Sequence, residues 1–155
     1  MASASHEIVS FVVSKVTSEN VDIVGVYRSQ DGDLRHLAKI LGSMIDDTKT
    51  TVIGGDLNIC ALKAPNNIFA QTLKERGFEQ VVTMATHIMG GLLDHVYINP
   101  SENKKMTWVI DIFPKYYSDH DGIGLTLWEN TEYTTEEVPM KTQKNKHKSG
   151  AEMRK

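Results

Sequence analysis

The tightest constraint on this chain is the alternation in Glu7–Val16 (EIVSFVVSKV), where Ile8, Ser10, Val12, Ser14 and Val16 fall on one side and Val9, Phe11 and Val13 on the other. A period of two in β-branched residues suits a strand and wastes a helix, so the fold must begin from a sheet. The polar turn Thr17–Asn20 leads into Val21–Tyr27 (VDIVGVY), which reads as the hairpin partner. The period then changes. Asp33 stands as an N-cap before Leu34, Leu37, Ala38, Leu41, Met44 and Ile45, whose three- and four-residue steps predict a helix ending near Asp46-Asp47 and covering one sheet face.

Thr50–Gly54 (TTVIG) reads as a buried strand that delivers the polar string Gly55-Asp56-Leu57-Asn58 to its end. A second helix is predicted over Asn67–Arg76, capped by Asn66 or Asn67, with Ile68, Phe69, Thr72 and Leu73 inward and Gly77 as a left-handed stop. Strands follow at Phe78–Thr83, Leu92–Ile98, Met106–Ile112 and Ile123–Trp128. The order β-β-α-β-α-β-β-β-β is a mixed α+β fold without internal repeat or long linker. Residues 1–130 are expected to form one domain and 131–155 a disordered basic tail. Lys141–Lys155 (KTQKNKHKSGAEMRK) has no periodicity that could bury a face, so it is either a solvated end or a nucleic-acid-binding arm.

At 155 residues with 40% hydrophobic and 24% charged side chains, the chain can build a core and is neither fibrous nor wholly disordered. No apolar stretch reaches the length of a membrane span, and Met1–Glu7 lacks the pattern of a signal peptide, so a membrane partner is not expected. Cys60 is the sole cysteine, which excludes an intramolecular disulfide and a cysteine zinc cluster and makes a reducing, intracellular setting, nuclear or cytoplasmic, the expectation. The net charge of −3 hides an asymmetry: residues 139–155 carry six bases and one acid, which leaves eleven bases against nineteen acids in the rest. An acidic body that handles phosphate needs a cation.

Three strings could carry chemistry. Asp56 and Asn58 lie two apart at a strand end, so an acid and an amide share one side; an acid orients water or ligates a hard cation, and an amide donates to a phosphoryl oxygen. Ser118-Asp119-His120-Asp121 sets an acid beside a histidine between two strands. Alone, each string is equally a turn. Asp94, within Leu92-Leu93-Asp94-His95-Val96-Tyr97-Ile98, is a carboxylate among apolar neighbours and is costly unless paired; its natural partner is His120, whose tautomer it would fix. His95 alternates to the other face and reads as packing.

Taken together, Ile23–Arg28 (IVGVYR), Val52–Asn58 (VIGGDLN), Gly90–Ile98 (GGLLDHVYI) and Tyr117–Ile123 (YSDHDGI) resemble the C-terminal half of the endonuclease/exonuclease/phosphatase superfamily, the fold of pancreatic deoxyribonuclease, with the phrase GVYRS most like retrotransposon versions. The resemblance implies the second half of a four-layer α/β/β/α sandwich and metal-dependent phosphodiester hydrolysis. It implies that Asp56 aligns or deprotonates the attacking water and that Asn58 holds the scissile phosphate. Asp119, with Asp56, would hold Mg2+ (Mn2+ as substitute). His120 would contact the phosphate as acid/base or stabiliser, Asp94 would orient it, and Tyr27 would reach the phosphate.

The pattern also departs from that family. The asparagine and the metal-binding glutamate of the family's N-terminal half have no counterpart here, and Arg28-Ser29-Gln30 stands where many relatives have proline and asparagine. A truncated and inactive form is therefore one expectation. With the opposing sheet missing, the inner faces of Val21–Tyr27 and Leu92–Ile98 are expected to expose a continuous apolar surface, open to self-association. Three readings stay open: a nuclease acting on DNA, a dead remnant that binds nucleic acid or another partner, and a phosphatase for small phosphoesters.

Overall fold

The computed structural model describes residues 11–100 and 106–129. Its element order is β1 (Phe11–Thr17), β2 (Val21–Arg28), α1 (Leu34–Met44), β3 (Thr50–Asp56), α2 (Ile68–Glu75), β4 (Glu79–Gln80), β5 (Asp94–Asn99), β6 (Met106–Phe113) and β7 (Gly122–Glu129). Types and order match the periodicities. The expected residues 7–10 of the first strand and the whole 131–155 tail lie outside the described residues.

Strands β1-β2-β3-β5-β4 form one sheet, in which only the β2–β3 pair is parallel; β6 and β7 form a separate antiparallel pair. Alternation along each strand divides its residues between two cores. Val24 and Val26 of β2, Ile53 of β3 and Tyr97 of β5 pack with Leu37, Leu41, Phe69 and Leu73 of the helices. Val52, Val96 and Ile98 face the other way and pack under Trp108, Ile110, Ile123, Leu125 and Leu127 of the β6–β7 hairpin. The described residues thus make helix, sheet and sheet layers, an α+β sandwich.

Local chemistry explains the boundaries. The Asp33 carboxylate accepts from the Arg35 and His36 N–H groups at 2.8 and 3.2 Å, so α1 starts at Leu34. Asn67 caps α2 through Ala70 N–H at 3.0 Å, and Gly77, with φ of 82°, ends it. Gly55 has φ of 148°, and a Cβ there would lie 1.8 Å from the Val26 carbonyl oxygen; only glycine lets β2 and β3 approach this closely.

Two expectations are corrected. The predicted strand Phe78–Thr83 shrinks to Glu79–Gln80: Val81 N–H still donates to the Val96 carbonyl at 2.9 Å, but Phe78 and Val82 on the flanks are buried in different cores. The inner sheet face is not continuously bare: the hairpin covers Val96 and Ile98, while Val12, Val16 and Ile23 remain 54%, 69% and 54% exposed. Among the described residues, no helix is long and apolar enough to cross a membrane.

Candidate active site

Strand register builds the site. Tyr27 on β2 pairs with Asp56 on β3, and Asp56 pairs with Asp94 on β5, so three polar side chains form a row across three strands at one end of the sheet. Partners in register point to the same face, here the one toward the hairpin. The loop between β6 and β7 brings His120 to this row. Its Nδ1 lies 2.8 Å from Asp94 Oδ2, and that contact makes Nδ1 the protonated nitrogen. The Asp94 hydrogen bond raises the His120 pKa above the ordinary histidine value, against the opposing pull of burial.

Asp94 is itself held. The hydroxyl of fully buried Thr86 donates to Asp94 Oδ2 at 2.7 Å and accepts from the backbone N–H groups of Leu93 and Asp94 at 3.2 and 3.1 Å. With Oδ2 taken by two donors, Oδ1 is the oxygen left for other work. Thr86 lies in an irregular loop, where no periodicity marks it.

The Asp56 loop is locked by a different device. Arg28, buried at the end of β2, donates to the carbonyl oxygens of Gly32 at 2.8 Å, Leu57 at 2.6 Å, Gln30 at 2.8 Å and Asn58 at 3.5 Å. In return, Asn58 Nδ2 donates to the Arg28 carbonyl at 2.8 Å, and the Asn58 N–H donates to Asp56 Oδ1 at 2.9 Å. Asn58 sits in the left-handed region, with φ of 49°, which this lock sustains. Arg28 therefore has a structural use. Five donors in a planar fork can bind several carbonyls at once, which a lysine ammonium cannot do in the same geometry. One hydrogen of the Asn58 amide is committed to Arg28, and the second remains for a ligand.

The remaining residues separate. His95 is buried on the helix side, with Nδ1 3.0 Å from the Tyr97 hydroxyl and Nε2 2.9 Å from the Ile59 carbonyl, and its burial lowers its pKa. It is a packing residue. Tyr27 is half exposed at the rim. Asp119 is 67% exposed in its side chain, with Oδ2 3.4 Å from His87 Nε2. Asp56 and Asp119, read as sharing a cation, fall into two clusters that have His120 in common: Asp56, Asp94 and His120 in one, His87, Asp119 and His120 in the other, with one ligand atom per residue within 4.8 Å of its fellows.

The donor chemistry fits a hard divalent ion. Asp56 and Asp94 offer carboxylate oxygens, and Mg2+ takes one or two protein carboxylates while keeping water and substrate oxygens in its remaining positions. Tyr116 and Tyr117, with Ile88 and Met89, stand almost fully exposed on two loops whose backbones join through Ile88 N–H to the Asp119 carbonyl, 2.8 Å, and through the His87–His120 bridge. His87 is the residue the sequence reading missed.

No protein-family model matches the sequence, and neither does any curated protein. Among solved structures, the chain is similar to the Haemophilus ducreyi cytolethal distending toxin, with 12% identity and a TM-score of 0.50 over 73% of this chain and 51% of that one. It also matches the beta toxin 275-280 structure from Staphylococcus aureus, with 16% identity and a TM-score of 0.46 over 76% of this chain and 56% of that one. The chain spans about half the length of the structures it matches. At 12% identity, the likeness to the first structure is one of fold.

Proposed function

We propose that this chain is a divalent-cation-dependent phosphodiester hydrolase domain of the endonuclease/exonuclease/phosphatase type. The observation that carries the reading is the convergence of Asp56, Asp94 and His120, far apart in sequence, with Asp94 holding His120 at 2.8 Å. Two carboxylates opposite each other at an open sheet end, one of them paired with a histidine, are a constellation suited to a cation and a proton donor.

Asp56 and Asp94 would hold the cation, and Asp119, in the adjoining cluster that shares His120, would be a further ligand. When bound, Mg2+ or Mn2+ supplies positive charge for the oxygens of the transition state. The chain's own residues do the rest. Asp56 orients the attacking water, and the free hydrogen of the Asn58 amide donates to a phosphoryl oxygen. Asp94 keeps the proton on His120 Nδ1, so Nε2 is the atom that gives a proton to a phosphoryl or leaving oxygen. Tyr27 adds a hydroxyl beside Asp56.

Nucleic acid is the favoured substrate over a small phosphoester. Tyr116, Tyr117, Ile88 and Met89 offer flat or apolar surface beside the phosphate site, and exposed aromatic rings stack on bases without regard to sequence. A small phosphate ester has no use for them.

The test is hydrolysis of supercoiled and abasic DNA, with bis(p-nitrophenyl) phosphate in parallel. Cleavage that requires Mg2+ or Mn2+ and is abolished by Asp56→Ala supports the enzyme. DNA binding that survives chelator without any cleavage would instead identify a non-catalytic nucleic-acid-binding remnant. Cleavage of small esters alone would identify a phosphatase.

A further inference from the structure

We propose that His87 is the positioning residue of Asp119, and through Asp119 of the bound cation. The inference rests on the reading of Asp119 as a cation ligand. The Met89 backbone N–H donates to His87 Nδ1 at 3.1 Å, so Nδ1 is an acceptor and the ring proton sits on Nε2. That excludes His87 Nε2 as a metal ligand in this arrangement, although it lies in a cluster of ligand type. It makes Nε2 the nitrogen that carries the proton instead, and Asp119 Oδ2 lies 3.4 Å from it, a close contact rather than a formed hydrogen bond.

The backbone fixes both partners. His87 forms an antiparallel bridge with His120, Ile88 N–H donates to the Asp119 carbonyl at 2.8 Å, and Asp121 N–H donates to the Thr86 carbonyl at 2.8 Å. The His87 and His120 rings meet edge to face with centroids 4.9 Å apart. His87 is thus anchored at its ring, its backbone and one edge, whereas the Asp119 side chain is mostly exposed. An anchored N–H 3.4 Å from an exposed carboxylate limits the positions that carboxylate can take. Asp94 and His120 form one orienting pair, and His87 and Asp119 form a second of opposite polarity: there the acid orients the imidazole, and here the imidazole orients the acid.

The test is Mn2+ binding to the full chain, read by the loss of the free-ion EPR signal, with no substrate present. His87→Phe keeps the ring packing and removes the donor; it is expected to weaken Mn2+ binding about tenfold or more, the usual scale for losing a residue that orients a metal ligand. His87→Gln restores an N–H donor at a similar reach and is expected to recover most of that affinity. Asp119→Asn separates the two levels of inference. If Asp119→Asn weakens binding and His87→Phe does not, the role of His87 is wrong while Asp119 remains a ligand. If Asp119→Asn leaves Mn2+ binding unchanged, or the wild-type chain shows no saturable binding, the reading of Asp119 falls and the role of His87 with it. Equal weakening in His87→Phe and His87→Gln would also overturn the proposal, because the donor would not matter.

Discussion

The two faces of the five-stranded sheet come from alternate residues of the same strands, yet they are finished differently. On the helix face, Leu37, Leu41, Phe69 and Leu73 have no exposed surface, and the core closes. On the hairpin face, cover ends partway: Val96 and Ile98 are sealed, while Val12, Val16 and Ile23 lie in solvent. The candidate site lies on the second face, at the strand ends. The closed face supplies a rigid base, and the open one leaves carboxylates within reach of solvent and ligand.

Substitutions can break or sharpen that contrast. The largest effect is expected from Phe69→Ala, which should cost about 3–5 kcal/mol in urea unfolding, because a fully buried ring leaves a cavity. Arg28→Lys should cost about 1–3 kcal/mol, since carbonyls of Gln30, Gly32 and Leu57 lose their shared donor in a buried place. Cleavage by that variant should fall through kcat, with the Asp56–Asn58 loop no longer held. Leu125→Ala, on the half-buried hairpin, should cost only about 1–2 kcal/mol; a cost equal to that of Phe69→Ala would erase the difference between the faces.

The next prediction concerns pH. The His120 pKa is raised in the folded protein, so its pairing with Asp94 adds stability that is fully present below the ordinary histidine pKa and lost as pH rises through the raised value. Asp94→Asn should lower the His120 midpoint in NMR titration and flatten this part of the stability profile. The smallest effect is expected from Ile23→Thr, a change on the bare face that should alter stability by no more than about 0.5 kcal/mol. If that face joins two copies of the chain, as its exposure suggests, sedimentation velocity should show the variant shifting toward monomer.

Much of this was legible in the sequence because it depends on period and cost. Alternation in Val21–Tyr27 and the steps from Leu34 to Met44 specify their elements locally, and Asp94 announced a partner because a carboxylate among apolar neighbours needs one. The rest depends on tertiary placement. Thr86 and His87 sit in a loop whose shape is set by hydrogen bonds to Gly91, Leu93 and the Asp119 loop, none of which has a signature in spacing. Arg28 looked like a departure from a pattern, and its use emerges only once Leu57 and Asn58 are brought beside it. The return of the hairpin over Val96 and Ile98 is likewise a long-range event that local propensity does not encode.

The contact at Gly55 reaches further than its size. Because the backbone of Val26 occupies the space that any side chain at this position would fill, β3 can lie beside β2 in a single alignment. Sliding by one step would bring Asp56 against that carbonyl and turn its carboxylate toward the helices, dismantling the row shared with Tyr27 and Asp94. One missing methyl group thus serves as the molecule's alignment pin, and the chemistry proposed at the sheet end is only as secure as that hydrogen atom.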